Sequence, residues 1–272
     1  MTEVLALRPA RSTPLRALGD SSYQLVSELQ QLLETLPIGA SLPAEAALAE
    51  QFGVNRLTVR EALKVLAGRG LAEIRQGRRA VVTEPSSEVI SSIFVSYVRR
   101  DPTALLELVE VRRALEVQSV GLAARKVTRA GLTGMEACLE VMKSAAEKLS
   151  DNNTRDDEKR QALADFQRAD VSFHESIALS SGNRMLAHVL EALEDSLLWA
   201  FDASFEGHAS RGGSAMDPYR AHLKIFQFIE ARDARKAMNA MRDHLQQSEQ
   251  DLRAYLASRT TSRFDSGSGQ SD

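Results

Sequence analysis

Four side chains in the second half of the chain have the types and spacing of a metal site. Asp170 and His174 lie four residues apart on one side of a predicted helix, whose apolar residues recur at intervals of three and four. His222 and His244 each share a helical face with apolar residues. Because an unpaired buried charge is destabilising, such groups need a common partner. We predict that these four residues hold one divalent metal ion.

The residue types also narrow the choice of ion. Imidazole and carboxylate ligands together suit Zn²⁺, Ni²⁺, Mn²⁺ or Fe²⁺, and Zn²⁺ is our first expectation. A single histidine on an apolar face is more often a hydrogen-bonded core residue, but three with an aspartate favour a metal site. His188 and His208 are left out, because the first has no matching partner and the second lies in the glycine-rich segment 204–218, which predicts a loop.

A second candidate site lies in the stretch 42–84. The sequence predicts a helix over 44–51, a turn at 52–54, and a second helix for which Asn55 is the N-cap. Two short helices across a tight turn form a helix-turn-helix. This motif can present its second helix to the major groove of DNA.

The second helix of this motif has one apolar face and one basic face. Leu57, Arg60 and Lys64 lie opposite the apolar residues, and Arg56 projects from the first turn. Phosphates attract cations and base edges accept hydrogen bonds from arginine, so this face suits DNA. The alternative is two helices of a bundle with a solvated basic face.

A predicted β-hairpin directly after the two helices favours the DNA interpretation. The runs 71–75 and 80–84 can pair across 76–79, where Gly77 supplies the positive φ that such a turn needs. Residues 56–79 contain seven Lys or Arg against two Asp or Glu, although the whole chain has a net charge of −3. The positive field is therefore local.

Residues 42–82 resemble the winged-helix domain of the GntR family of bacterial transcription regulators, and the segment VNRLTVREALKVLAGRGL is the most specific part. The resemblance implies that recognition-helix residues contact bases and phosphates and that the wing tip enters the minor groove. The implied contacts are Arg56, Thr58 and Arg60 in the helix and Gln76, Gly77 and Arg78 in the wing. Outer-face residues Leu57 and Lys64 complete the predicted set. Ala46 and Leu57 depart from the usual family residues, and Leu57 suits contact with a thymine methyl group.

Composition and periodicity predict a mainly α protein with two folded parts. We expect a flexible arm over 1–20, a winged helix-turn-helix domain over 21–84 and a linker over 85–101. Residues 102–258 show only helical periods, which predicts an all-α bundle of six or seven helices. The Ser- and Gly-rich residues 259–272 predict a disordered tail.

The second domain resembles the FCD effector domain of the FadR subgroup of that family, most specifically at 105–126 and 222–245. In that subgroup the Asp-His-His-His set marks metal-binding members, and the metal lies at the floor of a cavity that takes a small carboxylate. Arg112 lies in an apolar series, where its guanidinium would bind an effector anion. The alternative is an internal ion pair with Glu116.

The cysteine content and the N-terminal sequence favour a cytoplasmic protein without membrane association. Cys138 is the only cysteine, which rules out an intramolecular disulfide, and no signal pattern or long apolar run is present.

These features together predict a metabolite-responsive transcription regulator, expected to be a repressor and not an enzyme. A single winged domain reads too few base pairs for useful specificity, so we expect a homodimer on an inverted repeat in double-stranded DNA. A metal-dependent hydrolase-like enzyme and a regulator that senses the metal itself are the alternatives. The enzyme would need a general base beside the metal, and the sequence shows no obvious spare residue for that role.

Overall fold

The computed structural model describes residues 18–84, 86–101 and 103–267. The chain divides into two compact units, residues 1–89 and 90–272, which are considered separately below. The arm predicted for 1–20 lies outside the described residues except for its last three, which belong to the first helix.

The first unit consists of three helices and a short hairpin. Its elements are α1 (Leu18–Thr35), α2 (Glu45–Phe52), α3 (Arg56–Gly68), β1 (Ala72–Glu73) and β2 (Val81–Val82). The three helices and the hairpin enclose one apolar core, which includes Leu25, Leu29, Leu33, Leu42, Leu48, Val59, Leu63, Leu66 and Val82.

Local interactions explain the tight turn between α2 and α3. Gly53 ends α2 with a φ of 65°, a left-handed conformation that glycine adopts without steric strain. The side chain of Asn55 accepts a hydrogen bond of 2.9 Å from the backbone N–H of Thr58 and so caps α3. The helix-turn-helix therefore follows the sequence prediction closely.

The hairpin forms at the predicted place but with shorter strands. The pairs Ala72 with Val82 and Glu73 with Val81 are antiparallel, and Gly77 in the connecting turn has a φ of 71°. The second strand also bonds to the chain before α2, where the N–H of Leu42 donates to the Ala80 carbonyl at 2.8 Å. This third segment fixes the hairpin to the helices.

The second unit is all-helical within its described residues. Helix α4 (Glu88–Arg100) runs through the boundary of the two units and forms most of the predicted linker. Seven further helices follow within the described part of the chain. They are α5 (Ala104–Lys126), α6 (Arg129–Ser150), α7 (Asp156–Ser180), α8 (Arg184–Glu191), α9 (Glu194–Ser210), α10 (Met216–Glu230) and α11 (Ala234–Gly267).

The prediction of a loop over 204–218 is wrong for most of its length, because α9 continues to Ser210 and α10 begins at Met216. The glycine that suggested a loop is a packing residue. A Cβ atom on Gly207 would lie only 1.9 Å from the carbonyl oxygen of Asp251 in α11, so the two helix backbones meet here. Glycine is required by this contact and does not break the helix.

The last helix is longer than the composition suggests. Helix α11 extends to Gly267 and so includes the first nine residues of the predicted disordered tail, whereas 268–272 lie outside the described residues. Near the start of this stretch, the Arg259 guanidinium donates a hydrogen bond of 2.6 Å to the Tyr255 hydroxyl one turn earlier. This contact continues the helical side-chain pattern beyond the apolar core.

Among the residues that the structure describes, no helix combines the length and apolar character needed to cross a membrane.

Candidate metal centre and nucleic-acid interface

Three helices of the second unit bring together the four residues predicted to hold a metal. Asp170 and His174 lie on α7, His222 on α10 and His244 on α11. Each offers one ligand atom, and these atoms lie within 4.8 Å of one another. The Nε2 atom of His222 is 3.0 Å from Oδ1 of Asp170 and 3.1 Å from Nε2 of His174. The arrangement could hold one metal ion.

Polar contacts on the far side of two imidazoles direct their other nitrogen atoms towards this centre. The Nδ1 of His222 lies 2.7 Å from the carbonyl oxygen of Pro218, which accepts only if Nδ1 carries the proton. The Nδ1 of His174 lies 2.5 Å from a carboxylate oxygen of Glu116. The Nδ1–H tautomer leaves Nε2 of His222 free for an ion, and the contact with Glu116 turns Nε2 of His174 towards the same centre, as is usual for metal-ligating histidines.

Charge at the centre also fits a cation. Burial opposes ionisation of Asp170, but the neighbouring His222, His174 and His244 hold its pKa below the ordinary value. Burial lowers the pKa of His244 well below its ordinary value. The Asp170 carboxylate and the His244 imidazole are therefore in the proton-free forms that bind a divalent metal.

Glu116 connects the centre to Arg112. The Nε–H of Arg112 donates to Oε1 of Glu116 at 2.5 Å, which is the ion pair considered as an alternative from the sequence. Burial would raise the pKa of Glu116, but Arg112 and His174 together hold it below the ordinary value. Glu116 therefore remains charged and orients His174. Its contact with His174 was missed, because it depends on how α5 packs against α7.

A cavity of about 370 Å³ opens beside the candidate centre. Its volume falls within the range of small-molecule sites. Asp170, His174, His244 and Arg112 contribute polar atoms to its wall. Most of the remaining wall is apolar and includes Val109, Val171, Leu190, Leu197, Ala200, Phe201, Phe205 and Leu252.

Further ionisable side chains line the cavity, among them Glu194 and His208. Partial burial, with the charges of Glu175 and Glu191, raises the pKa of Glu194 to about 7. His208 lies in the last turn of α9, with its Nδ1 3.1 Å from a carboxylate oxygen of Asp251. The sequence placed His208 in a loop and away from the site, so its position in the cavity wall is a correction.

The predicted DNA-contacting residues lie mainly on exposed parts of the first unit. In α3, Arg56, Arg60 and Lys64 are exposed, as is Leu57, which has 65% of its surface accessible. Thr58 is half-buried, and its hydroxyl donates a hydrogen bond to the side-chain oxygen of Asn55 at the start of the helix. Gln76, Gly77 and Arg78 are exposed at the tip of the hairpin.

Comparisons with known proteins agree with both halves of this description. Residues 22–82 match the family model described as bacterial regulatory proteins, gntR family, and residues 107–247 match the FCD domain. The chain belongs to the GntR family. It is a DNA-binding transcription regulator with an FCD effector domain, and its small hairpin and helical second unit have the expected fold.

Individual members of the GntR family resemble the chain over most of its length. The Glc operon transcriptional activator of Escherichia coli strain K12 is 31% identical, covering 80% of this chain and 82% of that protein. The transcriptional repressor NanR of Cronobacter sakazakii is 30% identical and covers 82% of each. The solved structure of a Streptococcus agalactiae GntR protein aligns with a TM-score of 0.64 at 25% identity, covering 84% of this chain and 98% of that chain.

Proposed function

We propose that this GntR-family regulator is a repressor of the FadR subgroup whose FCD domain binds a divalent metal ion and a small organic or sugar acid. Binding of the acid changes the affinity for operator DNA. The observation that carries the proposal is the cluster of Asp170, His174, His222 and His244, three of which (Asp170, His174 and His244) line a largely apolar cavity. We place this function in the cytoplasm, where bacterial DNA is regulated.

The proposed metal ion and Arg112 support an acid as the effector at their part of a wall that also contains Glu175, Glu191 and Glu194. A divalent ion held by one carboxylate and three neutral imidazoles keeps a net positive charge, which attracts an anion. Arg112 lies in the same wall and, among the described residues, uses only its Nε–H for Glu116. Its terminal N–H groups remain for a carboxylate, so the ion pair and effector binding are compatible.

The first unit supplies the DNA-binding surface in this proposal. Recognition-helix residues enter the major groove, the hairpin tip enters the minor groove, and two copies of the chain bind the two halves of an inverted repeat. The proposed contacts are Arg56, Leu57, Thr58, Arg60, Lys64, Gln76, Gly77 and Arg78. Their exposure supports these roles, apart from the half-buried Thr58.

Effector binding can alter operator affinity only if the acid favours one arrangement of the dimer over another. A regulator that senses the metal itself would change its operator affinity when the ion binds, without any acid. A metal-dependent enzyme would consume the acid and need no DNA response. We assign repression by analogy with NanR, which is named a repressor. The Glc operon protein is named an activator, so a promoter reporter is needed to distinguish repression from activation.

The test begins with a thermal-shift screen of organic and sugar acids on Zn²⁺-loaded protein, since a ligand of the folded state raises the melting temperature. Metal content and operator binding are then measured with the best acid for the parent, His222→Ala and His188→Ala. We expect His222→Ala to lose the metal and the response to the acid but to keep most operator affinity. His188, which is half-buried, pairs with Glu191 and does not line the cavity, is the matched control.

Each other outcome has a defined meaning. Full metal occupancy in His222→Ala would reject the ligand assignment. Loss of metal with an unchanged acid response would make the ion structural and place the acid elsewhere. Operator binding that follows Zn²⁺ alone would support the metal-sensing alternative, whereas turnover of the acid would support the enzyme.

A further inference from the structure

Arg60, on the exposed face of α3, is held by a glutamate from another helix. Its Nη2 donates to Oε2 of Glu45 at 2.7 Å, and its Nε donates to Oε1 at 3.2 Å. Glu45 is the first residue of α2, so this two-point contact crosses the turn of the helix-turn-helix. Both oxygen atoms of the carboxylate are used.

This contact has little value as a stabilising device. The side chains of Arg60 and Glu45 are 55% and 35% exposed, and ion pairs in such settings contribute little to folding. The hydrogen bond from Arg60 keeps the pKa of Glu45 below its ordinary value, so the carboxylate stays charged. A fixed negative charge thus lies beside the proposed DNA-binding surface, where it repels the phosphates of DNA of any sequence.

The geometry of the contact gives Glu45 a second effect on DNA binding. A guanidinium can bond through its Nε–Nη2 edge or through its Nη1–Nη2 edge. Glu45 occupies the first edge and fixes the plane of the group, so the second edge keeps a defined direction. That edge can donate two parallel hydrogen bonds to O6 and N7 of guanine.

We propose that Glu45 is a positioning residue that orients Arg60 for reading a guanine and so raises sequence discrimination at the expense of general DNA affinity. The inference rests on the proposed role of Arg60 in base contact. Holding the side chain in one conformation before binding reduces the conformational entropy lost on the correct sequence. The same carboxylate disfavours contacts made through phosphate attraction alone.

The chain contains a matched control for the charge of Glu45. Glu61, also beside the basic face, contacts Lys64 through a single 2.9 Å contact one helical turn away. Glu61→Ala therefore removes the same charge from the same surface without releasing Arg60. A lysine ammonium has no planar edge for a carboxylate to orient.

The experiment uses the full chain and an operator selected from a random DNA library. Affinities for that operator, for its single base-pair variants and for unrelated DNA are measured at one salt concentration. We expect Glu45→Ala to bind unrelated DNA more tightly and to lose about two- to tenfold discrimination at one G·C pair. We expect Glu61→Ala to bind all DNA more tightly with unchanged discrimination.

An Arg60→Ala background separates this inference from the recognition-helix proposal. Arg60→Ala should lose roughly tenfold discrimination at the same base pair, and adding Glu45→Ala should then have no further effect on discrimination. If Arg60→Ala discriminates as the parent does, the role of Arg60 in base contact is wrong. If Arg60→Ala loses discrimination but Glu45→Ala keeps it, only the positioning role is wrong.

Discussion

Both units of the chain contain an arginine paired with a glutamate, but the two pairs differ in their exposure to water. The Arg60–Glu45 pair in the first unit is 55% and 35% exposed, whereas the Arg112–Glu116 pair in the second is 10% and 3% exposed. Water screens the first pair and offers both partners other hydrogen bonds. The second pair has no such substitute, because its atoms are removed from solvent.

The difference shows how one pair of residue types serves two purposes. An exposed pair stabilises the fold little, and the Arg60–Glu45 pair leaves the second edge of the guanidinium available to DNA. A buried pair stays closed, and Glu116 transmits this rigidity to His174, which it contacts through its second oxygen. We infer that the first pair orients Arg60 without stabilising the fold and that the second fixes the candidate metal centre.

Arg112→Ala removes the buried Arg112–Glu116 ion pair and should lower the stability of the fold more than the other variants below. It leaves the Glu116 carboxylate buried without its cation, which we expect to reduce the free energy of unfolding by about 3–5 kcal/mol. Urea titration followed by circular dichroism measures this loss. The neighbouring Arg113, which forms a partly exposed pair with Glu249, is the control, and Arg113→Ala should be much milder.

The pH dependence of the Arg112→Ala effect tests its cause. The folded-state pKa of Glu116 is lowered from 4.5, so its ionisation contributes stability above pH 4.5 that is lost as the pH falls through the folded pKa. The gap between parent and variant should therefore narrow below pH 4.5. An equal gap at all pH values would point to lost packing instead.

Arg56→Ala tests whether the exposed surface acts on DNA and not on folding. We expect operator binding to weaken by about 1–3 kcal/mol, because an arginine in the first turn of a recognition helix contacts bases or phosphates. Fluorescence anisotropy at fixed salt measures the affinity, and the melting temperature should not change. Arg160→Ala, at an exposed position on α7, is the control. Parent-like binding by Arg56→Ala would remove this residue from the interface.

Glu194 is half-buried, so its exposure lies between those of the two arginine–glutamate pairs. Its replacement should change the stability of the fold less than Arg112→Ala. Its pKa is raised from 4.5 to about 7, so the folded state loses stability as the pH rises from 4.5 to 7 and does not regain it above. After allowance for solvent screening, we expect Glu194→Gln to raise the melting temperature at pH 8 by about 2–4 °C. At pH 4.5 the two proteins should melt together; an increase of equal size there would exclude ionisation as the cause.

Glu45→Ala should have the smallest effect of these changes on stability. Its pair with Arg60 is exposed, so the unfolding midpoint in urea should match that of the parent within error. A clear loss of stability would mean that the Arg60–Glu45 pair stabilises the fold. It would also mean that the DNA phenotype of this variant needs correction for folding.

The sequence patterns predicted those features that depend on residues close together along the chain. The cap at Asn55 and the turn at Gly77 are local, and helical periodicity was enough to place Asp170 and His174 on one inward face. The structure brings the four predicted ligands together, whereas the bound metal remains a prediction.

The missed features depend on contacts between helices. The contact of Glu116 with His174 exists only because α5 packs against α7, and no spacing in the sequence encodes it. His208 was misplaced because the glycine-rich segment 204–218 was interpreted as a loop, although Gly207 lies where α9 crosses α11. The length of α11 was underestimated, since its last turns lie beyond the apolar residues that composition detects.

The crossing at Gly207 has a consequence for how this regulator can diversify. Other residues of α9, such as Phe201 and Phe205, can change and give the cavity a new shape and a new effector. Gly207 cannot accept even a methyl group without separating the two backbones. In a library of random variants, selection for new effectors should therefore alter the side chains around this position and leave the glycine itself in place.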